Sequence, residues 1–388
     1  MNFSELELHP SLLANVRDQG YETPTPIQAQ AIPPALAGKN VVGLAQTGTG
    51  KTAAFVLPIL NRLRAGKPGG IRALVILPTR ELAEQVNAAV VSFSRGTGLR
   101  SAVIYGGVGM IPQERALRGG VDIVVACPGR LLDHMGRGNV RLDRVEVLVL
   151  DEADRMLDMG FLPSIKRILA VLPTQRQTML FSATLAPELR DLVNNAAPGA
   201  VTVQIGTSRP AHTIAHALYP VPTHHKSGLL IELLRRADTG SVLIFTRTKH
   251  RANRLLQQIV REGHSAAALH SNRSQNQRQL ALDGFRDGRF RVLVATDIAA
   301  RGIDVDRISH VINYDVPDTP DAYIHRIGRT GRAERTGEAF TLVTPEDTLQ
   351  IRAIERVVGS SLERRKVEGF DYNAPAPPRA HADRMHAL

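Results

Sequence analysis

Short apolar runs separated by longer helical patterns constrain this chain more than any other feature of its sequence. In the first half such runs fall at 41–45, 73–77, 102–105, 123–126, 145–150 and 178–181, with helical patterns between them, for example at 81–93 and 187–195. Strands that alternate with helices pair in parallel, because each helix returns the chain to the start of the next strand. Runs that are apolar throughout belong to strands covered on both faces. The expected fold class is therefore α/β, a parallel sheet between two helical layers. The polar stretch Gly206-Thr207-Ser208-Arg209-Pro210 then interrupts the rhythm. It restarts with strands expected at 241–245, 266–269, 291–295 and 310–313. Between the first two of these, a helix is expected from the N-cap Thr248 to about Arg261, with Leu255, Leu256 and Ile259 as its buried stripe. A chain of 388 residues accommodates two domains. The expected division is 1–206, a linker at 207–212, a second domain at 213–370, and a disordered tail at 371–388 in which Pro375, Pro377 and Pro378 stand among Ala, His and Arg.

The run at 145–150 ends in Asp151-Glu152-Ala153-Asp154. Carboxylates there lie at the carboxyl edge of the sheet, where open α/β folds bind ligands. Upstream, Ala45-Gln46-Thr47-Gly48-Thr49-Gly50-Lys51-Thr52 joins a strand to a helix. Gly48 and Gly50 allow a tight turn that aims backbone N–H groups at phosphate oxygens, and the helix start adds its positive end. Lys51 reaches the β- and γ-phosphates, and Thr52 offers a hydroxyl to magnesium. Residues Thr47 to Thr52 are thus the expected nucleotide cradle, although the pattern usually opens with Gly where this chain has Ala45. Asp151 is the natural magnesium carboxylate, through water, and Glu152 is placed to orient or deprotonate an attacking water. The second half has no phosphate loop and must contribute something different. His325-Arg326-Ile327-Gly328-Arg329-Thr330-Gly331-Arg332 sets three arginines at a spacing of three, which gathers guanidinium groups on one local surface; such charges stabilise a γ-phosphoryl transition state.

Charge and composition narrow the partner. Lys plus Arg number 48 against 37 Asp plus Glu, a net charge of +11, which favours a polyanion, nucleic acid before membrane. Aromatics are 4% and Trp is absent, so bases stacked on an aromatic platform are not expected; recognition through phosphate and sugar is. Cys127 is the single cysteine, which excludes an internal disulfide and a cysteine zinc cluster. The first ten residues do not read as a signal peptide, and no apolar run is long enough to span a bilayer. A cytoplasmic protein without membrane association is expected.

Taken in order, these motifs resemble those of the DEAD-box RNA helicase family, over nearly the whole chain from about Phe3 to about Phe370. The Thr246-Arg247-Thr248-Lys249 stretch and the short tail are most similar to the bacterial RhlE-type branch. The resemblance implies two tandem RecA-like domains, with ATP and magnesium as cofactors and RNA as partner. It implies that Gln28, in Thr25-Pro26-Ile27-Gln28, reads the adenine edge through its amide, and that Tyr21 and Phe3 pack on or near the base. On the RNA side of the first domain it implies Arg80, Gly107 beside Gly106, and Arg130. Cys127 replaces the threonine usual in the family; a weakened RNA contact and a buried strand-end thiol are both open. Ser182 and Thr184, in Ser182-Ala183-Thr184, are implied to hydrogen-bond to Asp154 and couple the two activities. In the second domain, Thr246, Thr296 and Gly302 are implied to touch RNA, as are Gln275 and Arg278, and Asp304 the ATP ribose. Arg329 and Arg332 correspond to the arginine fingers, Arg326 to a brace at the domain interface, and His325 to a group that positions water.

The expected activity is RNA-stimulated ATP hydrolysis coupled to closure of two domains on an RNA backbone and local separation of short duplexes. An ATP-gated clamp or ribonucleoprotein remodeller with little unwinding is the alternative, and a DNA translocase of the same superfamily a second. Ribosome assembly, RNA decay and cold adaptation fit the sequence equally well.

Overall fold

The computed structural model describes residues 2–46, 48–66, 69–205, 214–236, 240–300, 308–331 and 337–375. The chain divides into two compact units, Met1–Thr207 and Ser208–Leu388. The linker expected at 207–212 lies outside the described residues.

The first unit contains β1 (Val41–Leu44), β2 (Ala73–Ile76), β3 (Ser101–Ile104), β4 (Ile123–Ala126), β5 (Val147–Leu150), β6 (Gln177–Ser182) and β7 (Val201–Gln204). They form one sheet in the order β3-β4-β2-β5-β6-β1-β7, with every pair parallel. The continuous apolar runs follow from a core on each face. Val147 and Val149 point into one cluster with Val75, Val125 and Phe55. Leu148 and Leu150 point into the other, with Leu74, Val124 and Leu180. Each such side chain taken fully out of water contributes roughly 1.5–3 kcal/mol.

The second unit repeats the plan with β8 (Ile214–Pro220), β9 (Ser241–Thr246), β10 (Ala266–Leu269), β11 (Val292–Thr296), β12 (Ile308–Asn313), β13 (Gly337–Val343) and β14 (Glu363–Arg364), in the order β10-β11-β9-β12-β13-β8-β14, again parallel. Val242 and Ile244 face one core, Leu243 and Phe245 the other. The expected α/β class and its two parallel sheets are what the chain adopts.

Four strands go beyond the sequence reading: β7, β8, β13 and β14. β7 buries only Val203 among its four residues. β8 carries His216 and two alanines, and β14 is a two-residue edge, so none of the three is an apolar run. The helix capped by Thr248 runs Lys249–Arg261, and the Thr248 hydroxyl accepts the Arg251 N–H at 3.2 Å. Its buried stripe is Ala252, Leu255 and Ile259; Leu256 is half-buried, a correction to the expected set. Residues 371–375, expected in the tail, are bonded into the unit: the Tyr372 hydroxyl accepts the Val367 N–H at 2.9 Å, and the Ala374 carbonyl lies 2.8 Å from His225 Nε2. Among the described residues no helix is long and apolar enough to cross a membrane.

Candidate functional site

Parallel strands bring their carboxyl ends to one edge, and the first unit collects its polar residues there. Leu44 of β1 pairs in register with Ser182 of β6, and Leu150 of β5 with Leu180. The loop after β1 therefore lies beside the end of β6, and Asp151 on the other side of it.

Gly48 and Gly50 in that loop adopt φ of 86° and 92°, in the left-handed region that only glycine enters freely. Gly50 is the N-cap of the helix Lys51–Arg64, so the loop delivers the start of a four-turn helix. The Lys51 ammonium donates to the Ala45 carbonyl at 2.9 Å, and the Thr49 hydroxyl to the Gln46 carbonyl at 2.7 Å. Thr52 is half-buried in the first turn. Thr47 lies outside the described residues.

Gln28 is fully buried against this loop. Its Nε2 donates to the Gly50 carbonyl at 3.0 Å, and its Oε1 accepts the Thr25 N–H at 2.9 Å, closing a capping box on the helix Pro26–Leu36. The amide expected to read a base is thus also the bond that fixes Gly50. Tyr21 keeps an exposed face while its edges meet Phe3 and Phe93, with ring centroids 6.0 and 5.5 Å away. Phe3 is buried, which makes it the support of Tyr21.

After β5, Asp151 and Glu152 are both buried. Burial raises the Asp151 carboxyl to about 6 against the pull of the Lys51 ammonium, with Glu152 and Asp154 pushing the same way as burial. Glu152 has φ 51° and ψ 48°, a left-handed conformation unusual for a residue with a side chain. Such strain persists only where the surroundings hold it. Its N–H donates to Asp151 Oδ1 at 2.9 Å, and its carboxylate forms a buried ion pair with Arg155. Arg155 is not among the residues expected from the sequence. Its position one turn after Glu152 on the helix Ala153–Asp158 was the available signal.

Asp154 ties this helix to the end of β6. Its Oδ2 accepts from the Ala183 N–H at 3.0 Å, the Thr184 N–H at 3.1 Å and the Thr184 hydroxyl at 3.3 Å. The Ser182 hydroxyl accepts the Asp154 N–H at 3.3 Å and donates to the Thr184 carbonyl at 2.7 Å.

The donor set suits magnesium. Asp151 and Thr52 supply hard oxygens, and a nucleotide-bound magnesium takes one or two protein oxygens, filling its other positions with phosphate and water. Among the described residues there is no cluster of three or more His, Cys, Asp or Glu that would form an all-protein metal cage.

Farther along the same edge, three expected RNA-side residues converge after β2, β3 and β4. Gly107 has φ 81°, and a Cβ built there would fall 2.1 Å from Arg80 Nη1. The Arg80 guanidinium therefore lies on the bare Gly107 backbone, an approach any side chain would block. Arg130 Nη1 donates to the neighbouring Val108 carbonyl at 3.1 Å. Cys127 is the N-cap of the helix Pro128–Gly136 and makes no side-chain cap bond. Its side chain packs on the core, and burial pushes its thiol up to about 12. The side chain is half-buried, so the weakened RNA contact and the strand-end thiol both stay open.

In the second unit, Thr246 and Thr296 are register partners at the ends of β9 and β11. The Thr246 hydroxyl donates to the Thr248 carbonyl at 3.3 Å. Arg326, expected as a brace at a domain interface, is buried and engages its own unit. It makes a bidentate pair with Asp297 at 2.6 and 2.7 Å, donates to Asn313 Oδ1 and the Asp315 carbonyl, and stacks over Phe245. It thereby fastens the ends of β9, β11 and β12 together. His325, on the last turn of the helix Pro320–Ile327, is half-buried, and Arg329, just past the C-cap Gly328, is buried. Gly302, Asp304 and Arg332 lie outside the described residues.

Residues 25–192 match the model of the DEAD/DEAH box helicase family, and 225–334 that of the helicase conserved C-terminal domain. The chain is 39% identical to the DEAD-box ATP-dependent RNA helicase CshA of Bacillus licheniformis, over all of this chain and 80% of that protein. It is 44% identical to the RNA helicase CrhR of Synechocystis sp., over 93% of this chain and 73% of that one. Among solved structures, Saccharomyces cerevisiae Dbp5 bound to RNA and ADP BeF3 aligns with a TM-score of 0.82 at 33% identity, covering 94% of this chain and 95% of that one.

Proposed function

Because this chain belongs to the DEAD-box helicase family, we propose that it is an ATP-dependent RNA helicase whose ATP hydrolysis is stimulated by RNA and drives local separation of short duplexes. The observation that carries the site assignment is the convergence of Lys51, Asp151, Glu152 and the Asp154–Thr184 link at the adjacent ends of β1, β5 and β6.

In this reading Lys51 and the N–H groups of residues 47–52 bind the phosphates, and Gln28 and Tyr21 hold the base. Asp151 and Thr52 would hold magnesium, which when bound neutralises charge on the phosphate oxygens. Glu152 accepts a proton from the attacking water as the water oxygen bonds to the γ-phosphorus and the bond to the ADP oxygen breaks, giving ADP and phosphate. Arg155, paired with Glu152, holds that carboxylate in place.

The second unit supplies Arg329 and Arg332 to the transition state, Asp304 to the ribose, and His325 to the water. Arg80, Gly107, Arg130, Thr246, Thr296 and Gly302 hold the RNA backbone, which gives little sequence preference. ATP and RNA together favour a closed arrangement of the two units, because only then are both half-sites complete. Asp154, Ser182, Thr184 and Arg326 transmit that change. The proposal extends to a cytoplasmic enzyme of the RhlE-type branch, acting on structured RNA in ribosome assembly or RNA decay.

The test is phosphate release with and without RNA, and with and without magnesium, for the native chain and for Glu152→Gln. The native chain is expected to need both. Glu152→Gln is expected to bind ATP and RNA and to lose hydrolysis. Equal turnover with and without RNA, or normal hydrolysis by Glu152→Gln, would overturn the reading.

A further inference from the structure

The second unit carries a cleft of about 640 Å³ beyond the carboxyl ends of β8 and β13, on the half of the sheet away from β9 and β11. Its floor is apolar, built from Leu218, Val221 and Ile351, all buried. Its walls are the helix Thr348–Val358 and the segment from Arg364 to Asn373. Both walls are anchored: the helix buries Ile351 and Ile354 in the core, and in the segment the Arg365 N–H donates to the Leu218 carbonyl at 2.8 Å, the Tyr372 hydroxyl accepts the Val367 N–H, and Phe370 packs edge-on to Tyr372 at 4.9 Å. The cleft is thus built into the fold.

The rim is cationic. Arg352, Arg364 and Lys366 line it with a single acid, Glu355. Glu355 is already committed, 3.4 Å from Arg364 and accepting the Leu362 N–H at 3.0 Å. That leaves Lys366, over the Tyr372 ring at 5.7 Å, and Arg352, which makes no hydrogen bond or ion pair among the described residues. A comparable cleft in the first unit has Lys166 and Arg176 balanced by Glu188 and Asp191 and selects no charge.

We propose that the cleft beyond β8 and β13 is a docking site for an acidic protein segment that inserts an apolar side chain between Ile351 and Val221. The charge complementarity is with Arg352 and Lys366. The apolar floor distinguishes such a segment from RNA, whose phosphodiester backbone has nothing to bury there. None of the residues that line the cleft is among the proposed ATP or RNA contacts.

Fluorescence anisotropy of the full chain tests it, with a labelled short peptide alternating Asp with Leu and Phe as the probe. The same peptide with Lys for Asp, and a short oligouridylate as competitor, complete the set. The acidic peptide is expected to bind saturably and the basic one not. Arg352→Glu with Lys366→Glu is expected to weaken binding about tenfold or more, the scale of two reversed rim charges. Thr348→Trp, which fills the cleft from its rim, is expected to weaken it without changing charge. RNA-stimulated ATP hydrolysis is expected to be unchanged in both variants. Equal binding of both peptides, insensitivity to both variants, or displacement of the acidic peptide by oligouridylate at this cleft would overturn the proposal, the last in favour of an RNA surface.

Discussion

Thr184 donates to Asp154 twice: its backbone N–H lies 3.1 Å and its hydroxyl 3.3 Å from the same carboxylate oxygen, Oδ2. The link joins the helix that follows Glu152 to the end of β6. A shift of that helix would be carried to the turn after Ser182 through this link. Thr184→Val keeps the shape and the backbone donor and removes only the hydroxyl, a loss of about 1 kcal/mol. If this bond carries coupling, duplex separation is expected to fall more than phosphate release. A strand-displacement assay run beside an ATPase assay on the same preparation measures the split; an equal fall in both would show that the bond serves hydrolysis alone.

The Gln28 amide makes a second testable link. Gln28→Leu would leave the Thr25 N–H and the Gly50 carbonyl without their partner, at a cost of roughly 1–3 kcal/mol for each group that stays buried. The phosphate loop loses its tether at Gly50, so the KM for ATP is expected to rise more than kcat falls, and thermal stability to drop. Glu at this position accepts from Thr25 but cannot donate to Gly50, and is expected to behave like Leu. Retention of native ATP affinity by both variants would separate Gln28 from the nucleotide site.

Much of this was legible in the sequence because central strands of a parallel sheet are apolar on both faces. Val147 to Leu150 cannot belong to a one-sided sheet, and residues that follow such a strand must lie at its carboxyl edge. Edge strands escaped for the converse reason. β7 buries Val203 alone, and β14 pairs through backbone with almost no buried side chain. Contacts set by tertiary packing also escaped. Nothing in the spelling of Gln28 shows that its amide turns toward Gly50, nor that Arg326 is saturated by Asp297, Asn313 and the Asp315 carbonyl. The identity of a side chain fixes what it is able to bond, and the fold decides which partner it meets.

Cys127 offers a test by repair. It holds the N-cap position of the helix Pro128–Gly136 with extended backbone, φ −87° and ψ 140°, and contributes no cap bond. A threonine there has the hydroxyl that caps accept with, and Cys127→Thr is expected to stabilise the chain by about 1 kcal/mol. The thiol, pushed up to about 12 by burial, carries almost no thiolate at neutral pH. Native protein is expected to react slowly with a thiol reagent and unfolded protein fast. Rapid labelling of the native chain would place the sulfur at the surface and return it to the RNA side.

Acid stability depends on a buried histidine outside the acidic pair. His134 is fully buried on the helix Pro128–Gly136. Its Nδ1 lies 3.4 Å from the Asn139 amide, which donates to it, and its Nε2 has no partner among the described residues. Protonating Nδ1 would replace that acceptor with a donor facing a donor. Burial is the main cause that holds the ring below its ordinary value of 6.5; Arg130 and Arg137 act in the same direction, and Glu114 and Asp133 oppose it. The unfolded chain therefore takes up the proton first. Stability from this site is fully present above the unfolded value and is lost as pH falls through and below it. His134→Leu removes the titration and keeps an apolar side chain in the pocket. Urea midpoints of the native chain and the variant, compared from about pH 7.5 down to about pH 5, bracket the ordinary histidine range. The native chain is expected to lose stability relative to the variant across that interval, with the gap opening near the ordinary value. Parallel curves would mean that His134 titrates alike in the folded and unfolded chain, and would refute the burial argument.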